Sequence, residues 1–159
     1  MASTTTGREK LPAVTPTLTQ LFINRVEATP SREAFRAPTD DGNWATTTWK
    51  ETGDDVNDLA AGLIALGCEL EQRVGIAAET SLDWVLADLA VAVAGGAVTT
   101  VYASTGAEDV AYILSDSDSR LLFAQDESQV AKVRAKRSEL PDLRKIILMK
   151  GEPVAEDGD

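Results

Sequence analysis

The chain has 159 residues, 43% apolar and 26% charged, which suits one domain with a real core and rules out two large ones. Its net charge of −11 argues against nucleic acid and against an anionic membrane surface, both of which attract basic proteins. Histidine is absent, which removes Ser-His-Asp and Cys-His catalysis, histidine metal sites and histidine general bases together.

Residues 1–16, MASTTTGREKLPAVTP, are rich in threonine, lack the apolar stretch of a signal peptide and read as a flexible leader. Leu18, Leu21, Phe22 and Val26 then recur at helical spacing. Either Thr15-Pro16 or Thr17 with Gln20 supplies the start, and the helix ends before Pro30. EAFRAP and NWATTTW flank Asp41-Gly42, which predicts a hairpin, and the alternation from Trp44 to Trp49 predicts a sheet with one wet face. Thr48 and Glu51 are spaced as a capping box. The helix they open carries a stripe of Val56, Leu59, Ala60, Leu63 and Ile64 and closes at Gly67.

From Arg73 onward strands and helices alternate. VGIAA (74–78), AVTTVY (97–102), RLLFA (120–124) and KIILM (145–149) read as strands. Between them lie helices at about 82–94, 107–116 and 127–139. Repeated strand-helix-strand units imply right-handed crossovers and a parallel, Rossmann-like sheet with helices on both faces. The nearly continuous apolar strands agree, because parallel strands are covered twice. The expected fold class is therefore α/β, preceded by a helix and a β-hairpin. The most apolar run, 82–101, is interrupted by Asp83, Asp88 and two glycines. A membrane span needs about 20 apolar residues with few charges, so a buried helix and strand is expected, and with it a cytoplasmic protein. The lone Cys68 permits no internal disulfide and reads as a small residue beside a turn.

The stretch GGAVTTVYASTG (95–106) has the glycines and hydroxyls of a phosphate cradle. Its geometry is wrong for one. A dinucleotide fingerprint places glycines after a strand and before a helix, so that backbone N–H groups face the anion. Gly95 and Gly96 follow a helix instead and read as its C-cap and a tight turn. Ser104-Thr105-Gly106 lies on the correct side, but no lysine follows as in a P-loop. Thr105 is spaced for a capping box with Glu108, and Asp109 comes next. The other strand-to-helix turns, AETSLD and AQDES, carry Glu79, Asp83, Asp126 and Glu127. All three turns read as capped by their own acids, with a cation or sugar-hydroxyl site as the alternative.

Other residues have plain readings. Lys132, Arg134, Lys136, Arg137, Arg144, Lys145 and Lys150 suggest a solvated basic face, or a dock for an anionic partner. Trp84 and Tyr102 suggest core packing ahead of ligand stacking. Asp88 suggests a solvent-facing helix edge rather than a buried polar contact.

The order of these features carries more than any one of them. Thr48 to Glu51, Leu66-Gly67, Arg73-Val74, Trp84, Ala94 to Val98, Glu108 to Leu114, Asp116 and the RLLFA strand resemble the N-terminal region of adenylate-forming acyl-coenzyme A synthetases. The likeness is strongest to the long-chain fatty acid–CoA ligases and runs from Leu18 to Met149. It implies that 17–149 is a partial N-terminal subdomain of an AMP-binding synthetase, with 150–159 an acidic tail. In that family a carboxylic acid and ATP give an acyl-adenylate and pyrophosphate, and coenzyme A then displaces AMP. ATP, Mg²⁺ and coenzyme A thus belong to the intact enzyme, as does the fatty acid. The family's phosphate loop, Mg²⁺ ligand, ribose-binding aspartate and catalytic lysine match no residues here. The expectation is no catalytic, cofactor-binding or metal residue in this chain, and no activity by it alone. Its expected partners are the remainder of the ligase or a second copy, meeting an apolar sheet edge at 145–149. The alternatives are a non-catalytic partner-binding module, such as half of a split ligase, and an unrelated small α/β domain.

Overall fold

Capping chemistry sets where the first elements of the computed structural model begin; it describes residues 17–39 and 41–152. The leader at 1–16 and all but three residues of the tail at 150–159 lie outside the described residues. Thr17 is the N-cap of α1 (Leu18–Ala28), its hydroxyl accepting from the Gln20 backbone N–H at 3.1 Å. The expected hairpin is β1 (Glu33–Pro38) paired antiparallel with β2 (Trp44–Thr48). At its tip Gly42 adopts φ +80°, and Asp41 accepts from the Asn43 backbone N–H at 3.2 Å. Hydrogen bonds from Thr39 and Asn43 hold the Asp41 carboxyl down at about 2.

The hairpin departs from expectation in one respect. Trp44, Ala45 and Thr46 are all exposed, Trp44 to 64%, so the distal end of β2 has two wet faces. Only the base of the hairpin is docked: Phe35 meets Trp49 with ring centroids 5.9 Å apart, and Trp49 meets the buried Phe22 of α1. A two-stranded ribbon has no second layer to cover its far end.

The capping box forms as predicted and opens α2 (Trp49–Ala65), with the Thr48 N–H donating to Glu51 Oε2 at 2.8 Å. Gly67, at φ +83°, closes it. The buried stripe is shifted from the expected one. Val56, Ala60 and Leu63 are buried, but Ile64 is 58% exposed, while Thr52 and Gly53 are buried toward α1. A side chain at Gly53 would come within 2.8 Å of Val26, so the α1 contact rotates the covered arc toward the helix start.

The remaining elements alternate as read. β3 (Arg73–Ala77), α3 (Leu82–Val93), β4 (Ala97–Val101), α4 (Ala107–Asp116), β5 (Leu121–Ala124), α5 (Glu127–Ala135) and β6 (Lys145–Leu148) follow in order. The last predicted helix is shorter than 127–139. It breaks at Lys136 and resumes as a 3-10 turn at Arg137–Glu139, because the Arg137 guanidinium donates to the Leu140 and Leu143 carbonyls at 2.6 and 2.7 Å. The four strands form one parallel sheet in the order β4-β3-β5-β6.

Alternation along the strands separates two cores. Val74 and Ile76 join Leu121 and Phe123 beneath α1, α2 and α3. Ala77 and Leu122 join Val110, Leu114 and Val133 beneath α4 and α5. The sheet is thus covered on both faces, as parallel strands require. β6 is an edge strand, paired on one side only and half-buried, as is β4 at the other edge. Beside β6 the α2/α3 layer leaves a groove of about 490 Å³ lined by Leu59, Gly62, Leu66, Leu86, Phe123 and Ile147. Among the described residues no helix is long and apolar enough to cross a membrane.

Candidate functional site

Open α/β sheets bind ligands outside the carboxyl ends of their strands, where helix N-termini gather backbone N–H groups. In this chain that edge is built from the turns after β3, β4 and β5. Each turn is held by different chemistry, and two of the three differ from the sequence reading.

After β3, the cap of α3 is Ser81, whose hydroxyl accepts from the Trp84 backbone N–H at 3.2 Å. Neither Glu79 nor Asp83 caps it. Glu79 offers only its backbone N–H, which donates to Gln125 Oε1 at 2.7 Å and ties the β3 turn to the β5 turn. Asp83 lies in the first helical turn, 3.9 Å from Lys150 Nζ.

After β4, the capping box of Thr105 and Glu108 does not form. The N-cap is Gly106, which has no side chain to offer, and the Glu108 carboxylate pairs with Lys136 of α5 instead. The cause is long-range. Lys132 Nζ and Gln129 Nε2 donate to the Ala103 carbonyl at 2.6 and 3.2 Å, so α5 fixes this turn from outside. Glu108 and Asp109 still occupy the first turn of α4, where a negative charge suits the helix dipole.

After β5 the reading holds. Asp126 caps α5, accepting from the Ser128 and Gln129 backbone N–H groups at 2.9 and 3.3 Å. The Ser128 hydroxyl is the main group holding this carboxyl below its ordinary 3.8, with the Gln125 amide and the two backbone donors adding to it. A carboxyl depressed by folding stabilises the fold above its unfolded value, and that contribution is lost as pH falls through the folded value. Acid titration of stability should therefore fall off less steeply below pH 3.8 in Asp126→Ala than in the parent chain. Parallel curves by circular dichroism would show that the cap is not formed in solution.

The first four members of the basic run, Lys132 to Arg137, are engaged by neighbouring groups rather than free. Lys132 braces the β4 turn, Arg134 pairs with Glu127, Lys136 with Glu108 and Glu139, and Arg137 with two carbonyls. Tyr102 is not core: it follows the last residue of β4 and is 82% exposed at this edge, whereas Trp84 is half-buried against the α2/α3 core. Asp88 is half-buried rather than fully in solvent, and burial raises its carboxyl. Cys68 is buried as expected, and burial raises its thiol too. Gly95 is the positive-φ cap of α3, at +84°, in agreement with the sequence. Gly96 is close-packed: a Cβ there would lie 3.1 Å from the Gln72 carbonyl.

The edge as a whole presents Glu79, Asp83, Glu108, Asp109, Asp126 and Glu127. The cations beside it are engaged: Lys132 serves Ala103 and Gln129, Lys136 pairs with Glu108, and Lys150 lies 3.9 Å from Asp83. Among the described residues no three acidic or cysteine side chains converge as metal ligands. A triphosphate needs unpaired cations around it. The groups here do not fit that requirement.

Comparison with known proteins gives the family. Residues 22–159 match the family described as AMP-binding enzyme. Over 111 residues, 70% of this chain, the sequence is 32% identical to the long-chain-fatty-acid–CoA ligase FadD15 of Mycobacterium bovis, and it spans 18% of that protein. Acetoacetyl-CoA synthetase from Streptomyces lividans superposes with a TM-score of 0.75 at 26% identity, covering 86% of this chain and 23% of that one. The N-terminal domain of FACL13 from Mycobacterium tuberculosis has the same fold, with a TM-score of 0.72 at 20% identity over 82% of this chain and 33% of that one.

Proposed function

Because the chain belongs to the AMP-binding enzyme family, we propose that it is N-terminal scaffold of an ATP-dependent fatty acid–CoA ligase and is inactive by itself. The intact enzyme adenylates a fatty acid with ATP and Mg²⁺ and passes the acyl group to coenzyme A in the cytoplasm. These residues support that machinery without contributing reacting groups. The family match over residues 22–159 carries the ligase part of the reading. The acidic carboxyl edge, with Lys132, Lys136 and Lys150 engaged by neighbouring groups, supports the inactive part. Adenylation develops charge on phosphate oxygens, and these acids would oppose it.

Purified chain, incubated with ATP, Mg²⁺, labelled pyrophosphate and saturated fatty acids of several lengths, should give no ATP–pyrophosphate exchange above a protein-free blank. Exchange that scales with the amount of chain would overturn the proposal. The open groove beside β6 favours a related reading, in which the chain is the non-catalytic half of a ligase assembled from two polypeptides.

A further inference from the structure

The groove between α2, α3 and β6 is an apolar trough of about 490 Å³ that the fold leaves uncovered. Its floor is Phe123, buried to 3% exposure, with Leu63 at 1%. Leu59, Leu86 and Ile147 form its walls, and a smaller extension of about 190 Å³ continues past Leu148 and Met149 to Asp83. We propose that this groove seats an amphipathic α-helix from outside residues 17–152, apolar on its inward face and flanked by lysine or arginine. The inference concerns docking and stands whether or not the ligase reading does.

Three observations on this chain specify that occupant. The groove runs beside α2 over β5 and β6, where α2 and α3 leave the layer on this face of the sheet incomplete. Helices pack side by side at 8–10 Å, so one further helix beside α2 completes the layer. Gly62 lines the groove in the last turn of α2, and nothing lies within 4 Å of where its Cβ would stand. Its bare backbone admits the close approach of a second helix.

Charge supplies the flank. Asp55 and Asp58, one helical turn apart, lie on one rim and Asp83 on the other. Asp83 lies 3.9 Å from Lys150 Nζ, and Lys50 engages Asp54 rather than Asp55 or Asp58. The carboxylates of Asp55 and Asp58 on the rim of an apolar trough attract a basic-flanked helix and repel an acidic one. A second copy of this chain does not meet the specification. Its net charge is −11, and its most basic helix, α5, already has Lys132 and Arg134 engaged, as is the C-cap Lys136.

The test is fluorescence anisotropy at physiological ionic strength, using the whole chain and a labelled helical peptide of about eighteen residues. Its leucines repeat at helical spacing, with lysine on both flanks in one version and glutamate in the other. The lysine peptide should bind on the order of ten-fold tighter than the glutamate peptide. Gly62→Phe, which fills the trough from an open position, should weaken it by a similar factor without lowering the melting temperature. Asp55→Lys with Asp58→Lys should abolish the preference for lysine. Asp109→Lys with Asp116→Lys, an equal charge change on the opposite face, should leave it in place. Equal affinity for both peptides, equal losses from the two charge reversals, or binding that survives Gly62→Phe would each overturn the proposal. So would a dimer of the chain that Gly62→Phe dissociates, or tighter peptide binding once residues 1–16 are removed.

Discussion

Leu122→Ala is expected to cost about 2–5 kcal/mol, the range for emptying a buried leucine site that cannot collapse. Leu122 is fully buried in β5, a central strand of the sheet, registered against Gly75 on one side and Ile146 on the other. Its side chain is the contact through which β5 holds the α4/α5 layer, alongside Leu114, Val133 and Leu143. The layer cannot close the gap without moving α4, and α4 is tethered through Glu108 to Lys136. Urea unfolding followed by circular dichroism measures the loss directly. A cost below about 1 kcal/mol would mean that this layer is loosely packed, since fully packed sites do not tolerate such truncation.

Gly75→Val tests the same interface by excess rather than deficit. A Cβ at Gly75 would lie 2.7 Å from Leu114 Cδ2 and 2.8 Å from Leu122 Cδ1. Both leucines are themselves buried to 1% exposure or less, so neither side chain has solvent to move into. Overpacking of this kind costs about 1–3 kcal/mol, and valine adds two methyl groups beyond the clash already made by its Cβ. The strand conformation itself suits valine, so any loss reports on the crowding by Leu114 of α4 and Leu122 of β5. An unchanged urea midpoint would refute the close approach of α4 to β3.

The strands and helices were legible because each is a short run of one character. RVGIA, AVTTV, LLFA and KIIL are nearly uninterrupted apolar segments, and the structure bounds each within a residue of its predicted limits. Local hydrogen bonding was legible too where both partners sit within three residues, as at Thr48 and Glu51. What the sequence hid was set by distant partners. Thr105 has the spacing of a cap, but Lys132 and Gln129, far along the chain, decide how that turn lies. Ile64 belongs to the apolar stripe of α2 by period, yet α1 draws the buried arc toward Thr52 and Gly53. Tyr102 reads as a strand residue by composition, but the ladder ends at Val101 and leaves its ring beyond the sheet. The acidity of the candidate edge was readable residue by residue, because charges at helix starts need no tertiary context. Which of those acids caps a helix, and which bonds elsewhere, was not.

The strand order β4-β3-β5-β6 also has a consequence during synthesis. β5 reaches β3 only after β4 and α4 have been made, so the nascent chain leaves the ribosome with β3 paired on one flank and its other flank bare. Residues Val74 and Ile76 then wait for Leu121 and Phe123, some fifty residues of translation later by the register of those strands. During that interval the half-built sheet is a target for trigger-type holdases and for wrong pairing between neighbouring nascent chains on one messenger. A slowed stretch of codons placed before Leu121 would lengthen that exposure.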